Sequence, residues 1–486
     1  MRNFTRFTTV CFVLAFLLAM AASTTLAEIK LPAIVGDHMV LQRNRPVPLW
    51  GWDKPGDEVT VAIAGQTAKA KANDKGRWQV ELAPMEAGGP FELVISNSAG
   101  DKKTIKDVLV GEVWVCSGQS NMAMTVGRCN NANEEIKNAN HPKLRMFMVQ
   151  REVAFAPKDN CTGDWTVCSP DTVGGYTAAG YFFGRDLLKD LKVPIGLINT
   201  SWGGTPSEAW TSRKALESKP SLKPLLDRWD KMAKAGGKAK NNPHRPANLF
   251  NGMIAPIVPY GIQGAIWYQG ESNVSRAYQY RTIFPTMIEN WRQIWGQGEF
   301  PFGFVQLAPF RYGKADPACC AELWEAQLLT LKNYPNIGMA VITDIGNIKD
   351  IHPKNKQDVG ARLALWAKAK VYGKRDVVYS GPIYESMTIE GNKIRLRFDH
   401  VDGGLSTRDG KAPSHFTIAG DDKKFHPAEA KIDGDTIVVQ SPAVAKPVAA
   451  RFAWRDDAEP NLTNKSGLPA SPFRTDKWKG LTVGMD

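Results

Sequence analysis

The 486-residue sequence contains no internal apolar run approaching the roughly 18 residues that a membrane-crossing helix needs. It has no Cys-x-x-Cys pair, which removes the usual zinc-site spacing. It also has no dense basic stripe. The richest cluster, Lys231 to Arg245, is diluted by Gly, Asn and Pro and reads as a solvated loop, so nucleic acid is not an expected partner. Charged residues make up 23% and hydrophobic residues 43% of the chain, a balance that excludes disorder and a fibrous repeat. At roughly 150 residues per domain, the length accommodates about three domains.

The one long apolar stretch is N-terminal. Arg2 and Arg6 precede Val10 to Ala22, and Thr25-Leu26-Ala27 supplies small residues where a signal peptidase reads. Residues 1–27 are therefore expected to be a removed signal peptide, and the protein to be exported, periplasmic or extracellular, without a lipid anchor. Removing Arg2 and Arg6 from the 61 basic residues leaves 59 against 49 acidic ones, a net +10 that only weakly favours anionic partners. Six cysteines remain once Cys11 is lost, and in an exported chain Cys161 with Cys168, across a Gly-containing turn, is the expected bridge. Glycosylation sequons begin at Asn199 and Asn273, inside the strand ends described below. A glycan there would block the fold or the site, which argues for a bacterial, unglycosylated protein.

From Leu31 to about Ile105 the chain alternates in short stretches such as Glu58-Val59-Thr60-Val61-Ala62-Ile63, broken by Gly and Pro turns. Residues 28–106 are expected to form an N-terminal antiparallel β-domain. The same grammar returns in Lys393–Phe398 and Thr436–Val439, so residues 376–486 are expected to form a second β-sandwich-like unit. Between them, apolar stretches at Val113–Cys116, Ile195–Asn199, Ala265–Tyr268, Phe302–Leu307 and Met339–Thr343 alternate with helical patterns at Ala178–Leu191 and at about 355–370. Residues 107–375 therefore read as an α/β domain with a parallel, doubly wound sheet.

Ligands of open α/β sheets bind beyond the carboxyl ends of the strands. Here those ends carry Ser117-Gly118-Gln119-Ser120-Asn121-Met122, Thr200-Ser201-Trp202-Gly203-Gly204-Thr205, Gln269-Gly270-Glu271-Ser272-Asn273, and Asp344 leading to Asp350-Ile351-His352-Pro353. Together they supply a hydroxyl nucleophile, backbone and amide donors, and a His with nearby carboxylates, which is what acyl transfer requires. Pro353 biases His352 toward an extended conformation in which Asp350 points the same way, so Asp350 could orient the imidazole. Asp344 and a backbone carbonyl are the rivals for that task. Trp202, Trp210, Trp267 and Tyr268 lie beside these loops as possible sugar platforms. The turn at Ser120 lacks the second Gly of the Gly-x-Ser-x-Gly elbow.

These motifs, together with Gly111-Glu112-Val113-Trp114, Glu208-Ala209-Trp210, Ile266-Trp267-Tyr268 and the segment Gly467–Asp476, resemble the sialate O-acetylesterase family within the wider SGNH-type hydrolases. The resemblance implies a flavodoxin-like catalytic domain, no metal, no organic cofactor, and an acetylated sugar as substrate. It implies Ser120 as nucleophile and His352 as general base. It also implies an oxyanion hole built from the N–H groups of Ser120 and Gly204, or Gly203, with the Asn273 amide. Asp350 stands two residues before the His where such enzymes have three, and Gly270 and Asn273 are separated by two residues where one is usual. Gln269 is accordingly an alternative amide donor. Arg311 is the expected partner of a sugar carboxylate. The expected function is removal of O-acetyl groups from sialic acid by an exported serine esterase. The alternatives are an acetylxylan or other polysaccharide deacetylase, and a non-catalytic sugar-binding protein.

Overall fold

The computed structural model describes residues 28–236, 241–313 and 315–485. The expected signal peptide lies outside the described residues. In the N-terminal part, Glu58–Ile63 and Arg77–Leu82 bury alternate side chains as their sequences suggest. Glu58–Ile63 pairs antiparallel with Gln66–Lys71 and Gly88–Asn97.

The next strand, β1 (Lys102–Gly118), joins two sheets. Its first half alternates between exposed and half-buried residues and pairs antiparallel with Gly88–Asn97. From Val108 onward every side chain is buried and the strand enters the parallel sheet. The boundary expected near residue 106 therefore falls inside one continuous 17-residue strand. The period-2 pattern stops where the strand gains cover on both faces.

The other parallel strands are β2 (His141–Met148), β3 (Ile195–Ser201), β4 (Gly264–Tyr268), β5 (Phe302–Val305) and β6 (Ile337–Ala340), in the spatial order β2-β3-β1-β4-β5-β6. The last five of these form the flavodoxin-type order; β2 extends it, and Trp165–Cys168 pairs antiparallel with β2 at that end of the sheet. The helices are α1 (Ala178–Leu191), α2 (Ala277–Trp295), α3 (Ala318–Asn333) and α4 (Lys356–Trp366). Trp366 of α4 lies where Cβ atoms on Gly303 and Gly338 would project, whereas Phe284 of α2 meets Phe302 and Phe304 edge-on. Successive residues of a strand face opposite ways, so α4 and α2 cover opposite faces of the sheet.

Beyond residue 376 the chain forms further antiparallel sheets, one of them from Ile383–Glu390, Lys393–Asp399, Thr436–Gln440 and Glu429–Asp433. Its last segment returns to the α/β core: Ser471 bonds Gln306, Arg474 pairs with Glu325, and the Thr482 N–H bonds the buried Glu322. No helix among the described residues is long and apolar enough to cross a membrane. The expected Cys161–Cys168 bridge is absent. Both thiols are free and buried, Cys168 in a strand facing the Ala139 carbonyl and Cys161 in the preceding loop.

Candidate active site

Gly118 is the last residue of β1 and pairs with Ser201 of β3 on one side and Tyr268 of β4 on the other. Three strand ends therefore stop level at the point where the strand order reverses, the usual ligand crevice of such sheets. Gly118 has φ +137°, and a Cβ there would lie 2.2 Å from the Tyr268 carbonyl oxygen. Only glycine lets β1 end this close to β4. The turn that follows places Ser120 at the start of a four-residue helix, Ser120–Ala123. Thr177, which caps α1, anchors that turn by donating to the Met122 carbonyl.

His352 arrives from the loop after β6. Its Nε2 lies 2.8 Å from Ser120 Oγ, a nucleophile–base hydrogen bond between residues 232 positions apart. Burial is the main cause holding the imidazole pKa below its ordinary value. Arg128 and Lys356 push the same way and Asp350 opposes them. Asp350 accepts the backbone N–H of His352 at 2.9 Å, while its carboxylate stands 3.8 Å from the ring Nδ1. The segment is a turn closed by the Asp side chain, not the extended stretch expected from Pro353. Asp344, the rival acid, is held by two hydrogen bonds from Arg362.

The cleft over Ser120 and His352 has a volume of about 220 Å³ and is lined also by Ala123, Met124, Arg128, Arg151 and Gly203. Gly203 packs on the nucleophile: a Cβ there would lie 3.3 Å from Ser120 Cβ. Gly204 is one residue further on, and its carbonyl is held by Ser272. The N–H groups of Ser120 and Gly203 have no protein acceptor among the described residues.

Asn273 and Gln269 require correction as amide donors. Both are fully buried and neither lines the cleft. Asn273 Nδ2 donates to Glu208 at 2.9 Å, and its Oδ1 accepts from Gln269 Nε2 at 2.7 Å and from the Ser207 N–H. Glu208 in turn pairs with Arg276, so these side chains form a closed network beneath the loops. Arg311 is likewise corrected: it is exposed, ion-paired with Asp457 at 3.3 Å, and outside the cleft. Trp210 and Trp267 are buried against other rings and Tyr268 is buried against Lys356, so none of the three offers a sugar platform. Trp202 is partly exposed and carries the Arg151 guanidinium over its ring at 5.8 Å.

Sequence reading missed Arg128 and Arg151. Arg151 follows β2, a strand it did not assign, so its strand-end position carried no signal. Neither guanidinium has a carboxylate partner among the described residues. Those residues also contain no cluster of three or more His, Cys, Asp or Glu able to hold a metal ion.

Residues 110–366 match the carbohydrate esterase family described as sialic acid-specific acetylesterase. The chain is 31% identical to human sialate O-acetylesterase over 91% of its own length and 92% of that protein. It is 30% identical to the mouse protein of the same name, over 87% and 89% respectively. A crystal structure of a carbohydrate acetylesterase from Xanthomonas citri superposes with a TM-score of 0.85 at 41% identity, over 93% of this chain and all of that one. The chain belongs to the sialate O-acetylesterase family and is a carboxylic ester hydrolase.

Proposed function

We propose that the protein hydrolyses O-acetyl esters on sugars through an acetyl-serine intermediate, with an O-acetylated sialic acid as substrate. The observation that carries the mechanism is the 2.8 Å contact between His352 Nε2 and Ser120 Oγ at the strand-order reversal. Ser120 Oγ attacks the acetyl carbonyl carbon as its proton passes to His352 Nε2. The N–H groups of Ser120 and of Gly203 or Gly204, rather than a side-chain amide, receive the oxyanion. Donors of this kind are worth roughly 3–4 kcal/mol each in the transition state. His352 then gives its proton to the departing sugar oxygen, and the C–O bond to the sugar breaks. Water repeats the sequence on the acetyl-serine ester, releasing acetate and restoring the Ser120 hydroxyl.

What supports an acidic sugar is the charge of the cleft. Arg128 and Arg151 border the nucleophile with no ion-paired acid among the described residues, and a guanidinium binds a carboxylate through two parallel hydrogen bonds. Trp202 braces Arg151 from below. Acetate release from O-acetylated sialic acid, measured beside acetylated xylan and an aryl acetate, tests both parts. Ser120→Ala should remove about six orders of magnitude of kcat on every substrate. Turnover of the xylan without the sialic acid would reject the acidic sugar and keep the esterase. The N-terminal pattern of residues 1–27 supports export, which N-terminal sequencing of the mature protein tests directly.

A further inference from the structure

Asn121 follows the nucleophile, is buried, and has no part in the acyl-transfer steps above. Its amide is nevertheless fully engaged. Lys356 Nζ donates to Oδ1 at 2.7 Å, while Nδ2 donates to Glu271 Oε1 at 2.6 Å and to the Ile351 carbonyl at 2.9 Å. The Ile351 carbonyl can only accept, so Nδ2 must face it and the amide has a single possible orientation. Its partners come from three other segments: the first residue of α4, the loop after β4, and the loop that carries the base.

Lys356 is wholly buried, with its Nζ 4.9 Å from the centroid of the Tyr268 ring. A lysine so placed is costly, because burial removes the hydration of its charge. It makes no direct ion pair among the described residues; its hydrogen-bonded link to Glu271 runs through Asn121, and the Glu271 charge otherwise acts on it through space. The Ile351 carbonyl is one peptide away from His352. Holding it to the residue after Ser120 fixes the span between base and nucleophile from the side opposite the cleft.

We propose that Lys356, acting through Asn121, is a positioning residue that sets the distance between Ser120 and His352. The inference rests on the Ser120–His352 reading. Enzymes lose on the order of 100-fold when reacting groups move by about 1 Å. In the full-length enzyme assayed on an aryl acetate, Lys356→Met should therefore lower kcat by about 10- to 100-fold, with KM within about twofold.

The deciding measurement adds Lys356→Met to a His352→Ala enzyme. With no base left to position, the second substitution should change the residual rate by less than about twofold. A structural role would depress both backgrounds alike. Asn121→Ser breaks the same tie without touching the lysine, so it decides the matter should Lys356→Met fail to fold. It should cost a similar factor, again only when His352 is present. An unchanged kcat in either folded variant, or a penalty that persists without His352, overturns the proposal. Full activity in His352→Ala or Ser120→Ala alone would instead overturn the acyl-transfer reading.

Discussion

Asp350 bonds the backbone N–H of His352 at 2.9 Å but stands 3.8 Å from the Nδ1 of its ring, so the carboxylate shapes the turn that delivers the base and acts on the imidazole only through space. In a triad with a direct acid–imidazole hydrogen bond, replacing Asp by Asn costs roughly 10⁴-fold, because the wrong tautomer is held. Asp350→Asn keeps an oxygen that can accept the His352 N–H and removes only the charge. Its expected cost in kcat/KM is about 10-fold, and Asp350→Ala, which also opens the turn, should cost more. A loss near 10⁴-fold in Asp350→Asn would mean that the acid bonds Nδ1 during turnover.

The pH profile follows from the same imidazole. A general base must be neutral, and burial, the largest influence on His352, favours its neutral form. The acid limb of kcat/KM on an aryl acetate should therefore fall below the ordinary histidine value of about 6.5. Asp350 raises the pKa, so Asp350→Asn should move the limb further to acid. Arg128 lowers it, so Arg128→Gln should move the limb back toward neutrality. Opposite or absent shifts would mean that these charges do not sense the base.

Legibility from sequence divided along physical lines. The core strands could be read because burial on both faces demands apolar runs, and all five expected strands occur, with β5 ending at Val305, short of the expected Leu307, and β6 at Ala340, short of the expected Thr343. Ser120 and His352 could be found because strand ends in open sheets are few and chemically conspicuous. Asn273 and Gln269 misled because a polar residue at a strand end reads the same whether it faces the cleft or the protein beneath. Only the structure shows their amides consumed by Glu208, Thr205 and one another. Lys356 was invisible for the converse reason: a lysine opening a helix normally faces water, and nothing local reveals that this one is covered. The shared strand β1 hid the N-terminal boundary because no linker exists there to be read.

Above the acid limb, where His352 is already neutral, Arg128 and Arg151 should act on affinity. Changing either to Gln should raise KM for O-acetylated sialic acid by roughly 10-fold, the value of one charge-assisted contact of about 1.4 kcal/mol or more. The rate on an uncharged aryl acetate should stay within about threefold. Equal losses on both substrates would assign the arginines to chemistry or folding and remove the main support for an acidic sugar.

Asp344 and Arg362 should matter for stability and little for chemistry. The pair is bidentate, mostly buried, and also tied to the Val341 carbonyl. Removing one partner leaves a buried charge uncompensated, which typically costs about 3–5 kcal/mol. Asp344→Ala should lower the denaturation midpoint clearly while the folded fraction retains kcat. A stable but inactive variant would restore Asp344 as the acid that orients His352.

Lys356 should leave a trace in stability that is independent of any assay of activity. Burial depresses its pKa to about 7 in the folded protein, with Glu271, Asp350 and Cys129 the facing groups that hold it up. An unfolded lysine titrates near 10.4. Below about pH 7 both states carry the proton and the full cost of the buried charge is present. Between pH 7 and 10 the unfolded chain binds more protons than the folded one, so this site makes the protein more stable as pH rises. Other buried groups titrate in the same window, and Lys356→Met supplies the reference that cancels them. From pH 7 to pH 10, wild type should therefore gain about 2–4 kcal/mol over Lys356→Met in denaturant unfolding. Parallel curves for the two proteins would mean that the ammonium is solvated at all pH, and with that the buried tie to Asn121 would lose its physical basis.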